Sequence, residues 1–415
     1  MDVHSPYIKP GITTRMFVTE KGRDRYQNGP AAELSDVDRE FMIALYDELT
    51  GSFLLLSRPG AIGAARIGER RCWHTARRSE REPPMHVGFG TVFQSQPGVE
   101  DHVVYQREIA DAVRAEALGF DSAWCTEHHF GDYMLSPDPF QWLSFMAAAT
   151  TKLDLGTMVS VLPWHDPMWV TEKIAMLDAI SGGRVILGVG RGTAPKEYGL
   201  YGVDVETSRA RFAESAKMVI NGLEQGYCEF DGTYIQQKRA DIRPRPFKSF
   251  RGRTYASAVS PESFPLCAEL DVGLLFIPQK PLEQHQIDHE AYREHFLRLH
   301  QREPIPAIYV GWVVCDENEN RARELAYEHI GRYWDSAVQH YGMQVPESMT
   351  EVFVNAHPWG TPEQVAEKIA ATCRQLRADR FVGVFNMVGM EPEFARANLE
   401  LFSERALPLL EQEQL

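Results

Sequence analysis

The stretch Phe120-Asp121-Ser122-Ala123-Trp124-Cys125-Thr126-Glu127-His128-His129-Phe130 decides the fold class of this chain. Leu118-Gly119 just before it is typical of a helix end, because glycine closes helices without steric cost. Phe120 to Cys125 has the length and apolar character of a buried strand, and an acid and two histidines follow at its end. Polar groups at such a strand tip lie where α/β folds place their chemistry. The stretch therefore predicts a helix–strand unit with a candidate site, and a simple surface cap on the strand is the open alternative.

The same alternation of strand and helix continues from Met85 to the end of the chain. The predicted strands are 86–90, 120–125, 153–161, 185–189, 254–257, 272–276, 308–315 and 381–385. The predicted helices are 99–118, 137–150, 167–180, 206–225, 261–270, 283–302, 317–341, 361–377 and 392–413. Eight strands, each followed by a helix, within about 330 residues predict an α/β fold of the (β/α)8 TIM-barrel type, with an open doubly wound sheet as the alternative. Two hairpin-like insertions, 227–236 and 243–253, interrupt the repeat.

The sequence before Met85 differs in character, so we divide the chain into an N-terminal extension, 1–84, and a barrel domain, 85–415. The extension contains one amphipathic helical pattern, 35–49, and an arginine-rich segment that is poor in core residues. This composition predicts a mobile segment. A basic arm that binds anions, and translation that starts at Met85, are the alternatives.

Composition limits the classes of function. The chain has 415 residues, 44% of them apolar, and a formal net charge of −15, which argues against a nucleic-acid partner. No apolar run reaches the roughly 18 residues of a membrane span, and no signal peptide is evident. The six cysteines have no metal-ligand spacing, which favours reduced thiols and a cytoplasmic location.

A second informative run is Gly182-Gly183-Arg184-Val185-Ile186-Leu187-Gly188-Val189-Gly190-Arg191-Gly192-Thr193. Its glycines let a flat ligand or a phosphate approach the backbone, and Arg191 offers a planar guanidinium to an anion. Thr193 stands where a dinucleotide fingerprint needs its third glycine, so that motif is absent. A glycine-rich strand end without a ligand is the alternative.

A third run, Ser257-Ala258-Val259-Ser260-Pro261-Glu262-Ser263, follows a predicted strand and opens a helix. Ser260 suits the N-cap, and the free N–H groups and hydroxyls of such a junction also suit a phosphate. The fourth run, 155–167, ends in Trp164-His165-Asp166-Pro167, where His165 and Asp166 are either catalytic or order the loop. The histidines of helix 283–302 fit a solvated face better than a metal site, so we expect no metal.

These runs, in this order, resemble the bacterial-luciferase-like family of flavin-dependent monooxygenases, in particular the luciferase alpha subunit. The resemblance covers most of 85–415. Its markers are Glu127-His128-His129-Phe130, Leu162-Pro163, Leu177-Asp178, Ser181-Gly182-Gly183-Arg184, Gly190-Arg191-Gly192, Ser208-Arg209-Ala210, Tyr333-Trp334-Asp335-Ser336 and Gly360-Thr361-Pro362-Glu363. A TIM barrel is the fold that the family implies.

The resemblance also implies roles for single residues. His128 matches the family's active-site histidine, and Arg191, Ser260 and Ser263 match positions that hold the flavin phosphate. Met158-Val159 matches a peptide bond that is cis in several relatives and lies behind the flavin ring. Candidates for an apolar substrate pocket are Trp124, Phe130 and Trp164, together with Trp142 and Trp169; core packing is the alternative for each.

Two features depart from the family pattern. The reactive thiol next to the luciferase flavin corresponds to Gly190 here, so we expect no thiol chemistry. The segment between about Tyr341 and Trp359 is shorter than the mobile loop of the luciferase alpha subunit, which argues against light emission.

The function implied is that of a two-component monooxygenase. A separate flavin reductase supplies reduced FMN, and O2 forms a flavin hydroperoxide that oxygenates a small apolar substrate. The family also implies a homodimer. A deazaflavin-dependent hydride-transfer oxidoreductase and a non-catalytic flavin-binding partner subunit are the alternatives.

Overall fold

A computed structural model describes residues 85–413 of the chain. The helical pattern at 35–49 and the arginine-rich segment lie outside the described residues, so the proposed domain boundary and the mobility of the extension stay predictions. Among the described helices, none combines the length and the apolar character that a membrane crossing needs.

Eight parallel strands close into a barrel. They are β1 (His86–Thr91), β2 (Ser122–Cys125), β3 (Asp154–Thr157), β5 (Val185–Gly190), β8 (Thr254–Ser257), β9 (Gly273–Phe276), β10 (Ala307–Trp312) and β13 (Ala378–Val384). Each pairs with the next strand of this series, β13 pairs with β1, and β3 pairs with β5. The prediction of a (β/α)8 TIM barrel is confirmed, and the doubly wound sheet is excluded because an open sheet has two unpaired edges.

Helices follow the barrel strands as predicted. They are α1 (Asp101–Ala117), α2 (Pro139–Ala149), α3 (Pro167–Ser181), α4 (Pro195–Tyr201), α5 (Ser208–Gln225), α6 (Phe264–Glu269), α7 (Leu282–His300), α8 (Glu319–Tyr341), α9 (Ser348–Ala356), α10 (Pro362–Leu376), α11 (Pro392–Leu401) and α12 (Leu407–Leu410). Of these, α4 and α9 are not predicted by the sequence. They occupy the segments 194–204 and 341–359, whose short and weakly periodic patterns indicate loops.

Some predicted strands are shorter or interrupted. The strand expected at 153–161 is split into β3 and β4 (Ser160–Val161), with the cis peptide bond Met158–Val159 between them. The strand expected at 308–315 is likewise split into β10 and β11 (Val314–Cys315), and β11 pairs with β12 (Trp359–Gly360).

Only one of the two expected hairpin insertions is a hairpin. Strands β6 (Tyr227–Asp231) and β7 (Gln236–Asp241) pair antiparallel, so this hairpin is longer than predicted. The segment 243–253 has no strand and contains the cis bond Arg243–Pro244. Its prolines have no N–H to donate, which explains why it does not add to a sheet.

The barrel interior is filled by large side chains that require glycine opposite them. The ring of Trp124 lies across β3, and a Cβ at Gly156 would be 2.2 Å from its Cε3 atom. The indole N–H of Trp124 donates to Ser122 Oγ at 2.7 Å, so its polar atom is satisfied. A second apolar layer lies between the strands and the helices and includes Phe89, Phe120 and Phe385.

Two arginines attach the helices to the barrel. Arg253 donates from both terminal nitrogens to the buried Asp178 carboxylate, at 2.5 and 2.9 Å. Arg184 donates to backbone carbonyls of Leu153, Ala147 and Ser181 at 2.8 to 2.9 Å. The markers Leu177-Asp178 and Ser181-Gly182-Gly183-Arg184 therefore have structural roles at the end of the barrel where the strands begin.

Candidate active site

Three ionisable residues, Glu127, His128 and His129, follow β2 and have defined contacts. His128 Nδ1 lies 3.2 Å from Glu197 Oε1, and the backbone N–H of His129 donates to the same oxygen at 2.7 Å. Glu197 belongs to α4, which follows β5. Because β2 and β5 are parallel strands of one barrel, their C-terminal ends lie at the same end, and α4 joins them there.

Glu127 is the centre of a second buried network at this tip. Its carboxylate lies 2.5 Å from His165 Nε2 and 3.2 Å from His129 Nε2, and it accepts from the Val161 N–H at 2.9 Å. Burial opposes ionisation of Glu127, but these contacts outweigh burial and lower its pKa. The same carboxylate outweighs the burial of His165 and raises the pKa of that imidazole. Glu127 and His165 thus form a hydrogen-bonded pair that orders the tip.

Asp166, the other polar residue of that loop, has an ordering role. Its carboxylate accepts from the backbone N–H of Met168 at 2.8 Å and caps α3. The sequence leaves a catalytic role and a loop-ordering role open for this residue, and the contacts of Asp166 are those of a loop-ordering residue.

His128 lies in an aromatic environment. Its ring contacts those of Tyr133, His340 and Tyr341 edge-on, with centroids 4.9 to 6.1 Å apart. Its Nε2 lies 3.4 Å from the hydroxyl of Tyr341. Burial lowers the pKa of His128, although the Glu197 carboxylate opposes that shift. His128 is therefore expected to be neutral at pH 7, with a polarised ring nitrogen available for proton transfer.

The carboxyl of Glu197 is strongly acidic. Burial opposes its ionisation, but the imidazoles of His128 and His340 and the His129 N–H lower its pKa to about 2. Its side chain is 1% exposed. Glu197 thus carries a fixed negative charge beside His128 throughout the physiological pH range.

Two arginines and several hydroxyls form a second part of the site. Arg191 Nη1 donates to Ser208 Oγ at 3.0 Å, and Arg209 donates to Ser263 Oγ at 3.1 Å and to Ser260 Oγ at 3.4 Å. The hydroxyls of Ser260 and Ser263 are 3.1 Å apart. The segments after β5 and β8 and the start of α5 thus contribute a cluster of donors at the end of the barrel that carries His128.

Ser260 occupies the expected N-cap position, but its side chain does not cap the helix. A short 3₁₀ turn, Pro261–Ser263, precedes α6, which has 6 residues. The hydroxyl of Ser260 contacts Ser263 and Arg209 instead, so the donors of this cluster are side chains.

The tip of β5 passes close to the cis bond Met158–Val159. A Cβ at Gly190 would lie 2.3 Å from Val159 Cγ2, and one at Gly188 would lie 2.0 Å from the Thr157 carbonyl oxygen. The backbone of β5 therefore packs directly on the β3–β4 connection. Met158 itself is buried in the barrel interior, and the cis geometry implied by the resemblance is present.

The aromatic pocket candidates lie in different places. Trp164 stacks on Tyr201 with centroids 5.4 Å apart and contacts the His129 ring, and Phe130 is 49% exposed beside Tyr201. Trp124, in contrast, is fully buried in the barrel interior. Of the other two candidates, Trp142 on α2 is buried against Phe93, and Trp169 on α3 is largely exposed. Of the candidates, Phe130 and Trp164 thus lie beside the β2 tip.

For His285 and His289 of α7, the expectation of a solvated face is wrong. His285 and His289 are buried against Phe276, and burial lowers the pKa of each to about 4. They are neutral core residues. Most residues around them in the sequence are polar, so the narrow buried face of the helix is not recognisable from the sequence pattern.

Four side chains of the site cannot be identified as site residues from the sequence. Glu197, Tyr201 and His340 come from segments without a recognisable motif, and Arg209 stands out only as part of a family marker. The hydroxyl of Tyr201 lies 2.9 Å from His129 Nδ1, and His340 Nε2 lies 3.6 Å from Glu197 Oε1. In the sequence, Glu197 and Tyr201 are marked only by their place after β5, and His340 only by its place at the end of α8. The expectation that functional residues follow strand ends identifies only the residues close to those ends.

Comparison with known proteins agrees with this architecture. Residues 85–380 match the family model described as luciferase-like monooxygenase. The chain is similar to an alkanal monooxygenase alpha chain of Photorhabdus luminescens, with 29% identity over 228 residues. That alignment covers 54% of this chain and 62% of the relative, so the chain spans less than two thirds of that protein.

Two solved structures share the fold. The monooxygenase RslO1 from Streptomyces bottropensis has a TM-score of 0.72 at 23% identity and covers 78% of this chain and 99% of its own. The oxygenating constituent of 3,6-diketocamphane monooxygenase from Pseudomonas putida, in complex with FMN, has a TM-score of 0.63 at 20% identity, with coverages of 78% and 98%. With the family match over residues 85–380, the chain belongs to the luciferase-like monooxygenases.

Proposed function

We propose that this chain is the oxygenase of a two-component system that uses reduced FMN, delivered by a separate reductase, and O2 to oxygenate a small apolar substrate. The observation that carries the proposal is the cluster of Arg191, Arg209, Ser260 and Ser263 at the barrel end that also carries His128. An enzyme that uses a flavin mononucleotide needs a group of donors for the phosphate at one part of its site and an acid–base group near the reacting ring at another.

The residues of the cluster fit a phosphate. Arg209 bonds two hydroxyls that also bond each other, so three donor groups converge on one small volume. Arg191 is partly desolvated, which lowers the pKa of its guanidinium yet leaves it charged at neutral pH. Charged donors of this kind hold a phosphate with short, strong hydrogen bonds. Arg191, Arg209, Ser260 and Ser263 would hold the FMN phosphate.

The inner face of the site fits a flat ring. Gly190 has no side chain, and its backbone lies against Val159, next to Met158. The surface formed by these three residues is therefore apolar, and no side chain of Gly190 projects from it. Bound reduced FMN supplies the electrons that activate O2. Met158 and Val159 would form the wall behind the ring, and the closely packed barrel interior would keep water from it.

His128 is the group that would move a proton. Its Nε2 is directed away from Glu197 towards the Tyr341 hydroxyl, and its Nδ1 is held by the carboxylate. A neutral imidazole held in this way can accept a proton at Nε2 and return it during one turnover. Phe130 and Trp164 supply apolar surface beside the β2 tip for an apolar substrate, and Trp124 supports the barrel interior below it.

The homodimer implied by the family is also a proposal. Phe145 on α2 and Trp169, Met176 and Ile180 on α3 are exposed, and Trp169 is 69% exposed. Two neighbouring helices that carry large exposed apolar side chains are typical of a surface covered by another subunit. We propose that a second copy covers it.

Oxygen uptake by the purified chain tests the proposal. Chemically reduced FMN is added with a panel of apolar ketones, aldehydes and aromatic compounds, and incorporation of one 18O atom from 18O2 is read by mass spectrometry. Reduced deazaflavin, tested in parallel without O2, examines the hydride-transfer alternative. Substrate-dependent hydride transfer from the deazaflavin without 18O incorporation would replace the proposal, and flavin binding without turnover of any kind would favour a partner subunit.

A further inference from the structure

The side chains around the β2 tip converge on a single oxygen atom of Glu197. Its Oε1 lies 2.7 Å from the His129 backbone nitrogen, 3.2 Å from His128 Nδ1 and 3.6 Å from His340 Nε2. The three groups come from the tip of β2 and from the end of α8. They meet at α4, a helix of 7 residues in a segment whose sequence pattern indicates a loop.

One contact fixes the carboxylate, and a second holds the helix that carries it. The backbone N–H of His129 donates to Glu197 Oε1. The position of Oε1 is therefore set by a backbone group and does not depend on a flexible side chain. Tyr198, the next residue on α4, donates from its hydroxyl to the Arg191 carbonyl and holds the helix against β5. An acceptor that is fixed by a backbone N–H on a helix held in place can orient the ring that bonds to it.

From this geometry we infer that Glu197 is a positioning residue for His128: it holds the imidazole in the tautomer with the proton on Nδ1, so that Nε2, on the side of the Tyr341 hydroxyl, stays unprotonated. His340, whose Nε2 has no hydrogen-bond partner among the described residues, supplies a second dipole to the same oxygen. The role rests on the proposed function, because it names what keeps the proposed acid–base group ready. It adds α4 and the end of α8 to the parts of the chain that the reaction needs.

A direct observation of the tautomer tests the inference without any turnover. The chain is labelled with 15N-histidine, and the His128 signals are assigned by their loss in His128→Gln. We expect a protonated Nδ1 and an unprotonated Nε2 in the wild-type chain at pH 7. In Glu197→Ala we expect the proton to redistribute to Nε2, whereas Glu197→Gln, whose amide oxygen can still accept, keeps the tautomer and loses the charge. An unchanged tautomer in Glu197→Ala would overturn the inference.

Kinetics provide a second readout. The carboxylate opposes the effect of burial on His128, so its loss in Glu197→Gln should move the acid limb of the kcat/KM profile to lower pH and reduce turnover roughly 10- to 100-fold. Glu197→Asp should recover part of the turnover. Glu206→Gln, which removes an exposed carboxylate in the turn after α4, is the matched control and should match the wild-type chain. An identical acid limb in Glu197→Gln and Glu206→Gln would contradict the positioning role.

Three side chains of this cluster, His128, Glu197 and His340, could instead bind a cation, because they offer ligand atoms within 4.8 Å of one another. Equilibrium dialysis against Zn²⁺ separates the two assignments. We expect no saturable binding that depends on Glu197. Micromolar binding to the wild-type chain that is lost in both Glu197→Gln and His340→Ala would identify a metal site and overturn the inference.

If the tautomer responds as expected but the chain does not consume O2, the proposed function fails and the positioning role stands. If O2 is consumed and the tautomer does not change in Glu197→Ala, the proposed function stands and the positioning role fails.

Discussion

Arg209 donates to Ser263 across 54 residues of sequence, at 3.1 Å, and so joins the start of α5 to the turn after β8. The contact brings a guanidinium to two hydroxyls that the sequence suggests as phosphate ligands. In the sequence, Arg209 stands out only as part of a family marker. Its position makes it as suitable for an anion as Arg191.

Arg209→Ala should weaken binding of reduced FMN about 10- to 100-fold, because a charged hydrogen bond contributes roughly 1.5–3 kcal/mol. Binding of riboflavin, which lacks the phosphate, should change little. Titration followed by flavin absorbance under anaerobic conditions measures both affinities. Arg251→Ala, at an exposed arginine outside the cluster, is the control. Equal losses for FMN and riboflavin would show that Arg209 does not contact the phosphate.

His128→Ala should reduce turnover by a factor of about 10² or more, since general acid–base catalysis typically contributes that much. Binding of reduced FMN should stay within about threefold of the wild-type value, because His128 follows β2, whereas the phosphate cluster comes from the segments after β5 and β8 and from the start of α5. Steady-state O2 uptake and anaerobic titration measure the two effects. Undiminished turnover would remove His128 from the mechanism.

Gly190→Ala should weaken flavin binding, because a Cβ at that position would lie 2.3 Å from Val159 Cγ2. The short valine side chain cannot move away without displacing the β3–β4 connection. The double variant Gly190→Ala, Val159→Ala removes the clashing atom and should recover most of the affinity. Additive losses in the double variant would mean that the contact with Val159 is not the cause.

Asp178→Asn should lower the free energy of unfolding by about 3–5 kcal/mol, because it leaves Arg253 without its buried carboxylate. Urea denaturation followed by circular dichroism measures the change. Glu290→Gln, which disrupts a half-exposed ion pair with Arg293, is the matched control and should cost less than about 1 kcal/mol. Similar midpoints for the two variants would contradict a structural role for the Asp178–Arg253 pair.

Glu108→Gln should flatten the dependence of stability on pH. Burial raises the pKa of Glu108 to about 8, and Asn386 donates to its carboxyl at 2.7 Å. Below its ordinary pKa of 4.5 both the folded and unfolded states hold the proton. Between that value and pH 8 only the unfolded state releases it, so the folded state loses stability as pH rises, by a few kcal/mol in total.

The difference between the wild-type chain and Glu108→Gln isolates this group from the buried histidines, which also titrate. Urea midpoints at pH 5 and pH 8 are sufficient. The variant should gain stability relative to the wild-type chain at pH 8. Parallel curves for the two proteins would show that Glu108 is ionised in the folded state.

The barrel can be predicted because its signals are local. The run from Phe120 to Phe130 shows helix end, strand and polar tip within a few residues, and similar runs recur along the chain. The position of α4 cannot be predicted, because a helix of 7 residues lacks the length for a clear periodic pattern. The Glu127–His165 pair escapes prediction for another reason. Each residue is visible at its own strand tip, but only the register of β2 against β3 brings the two together.

The site divides in the same way. Arg191 and Ser260 lie at strand tips and can be found from the sequence, whereas His340 comes from the end of a helix of 23 residues. It lies far along the chain from β2, and its place depends on how α8 crosses the barrel mouth. No spacing rule contains that information.

One short helix contacts several segments at the active-site end of the barrel. On α4, Glu197 contacts His128, Tyr198 bonds the backbone at Arg191, and Tyr201 bonds His129 and stacks on Trp164. Directed evolution of substrate preference would therefore fail if it randomised this helix residue by residue, since each change disturbs several partners. Exchanging 191–204 as an intact cassette between homologues, while diversifying the neighbouring 131–137 connection freely, is the engineering strategy that this architecture recommends.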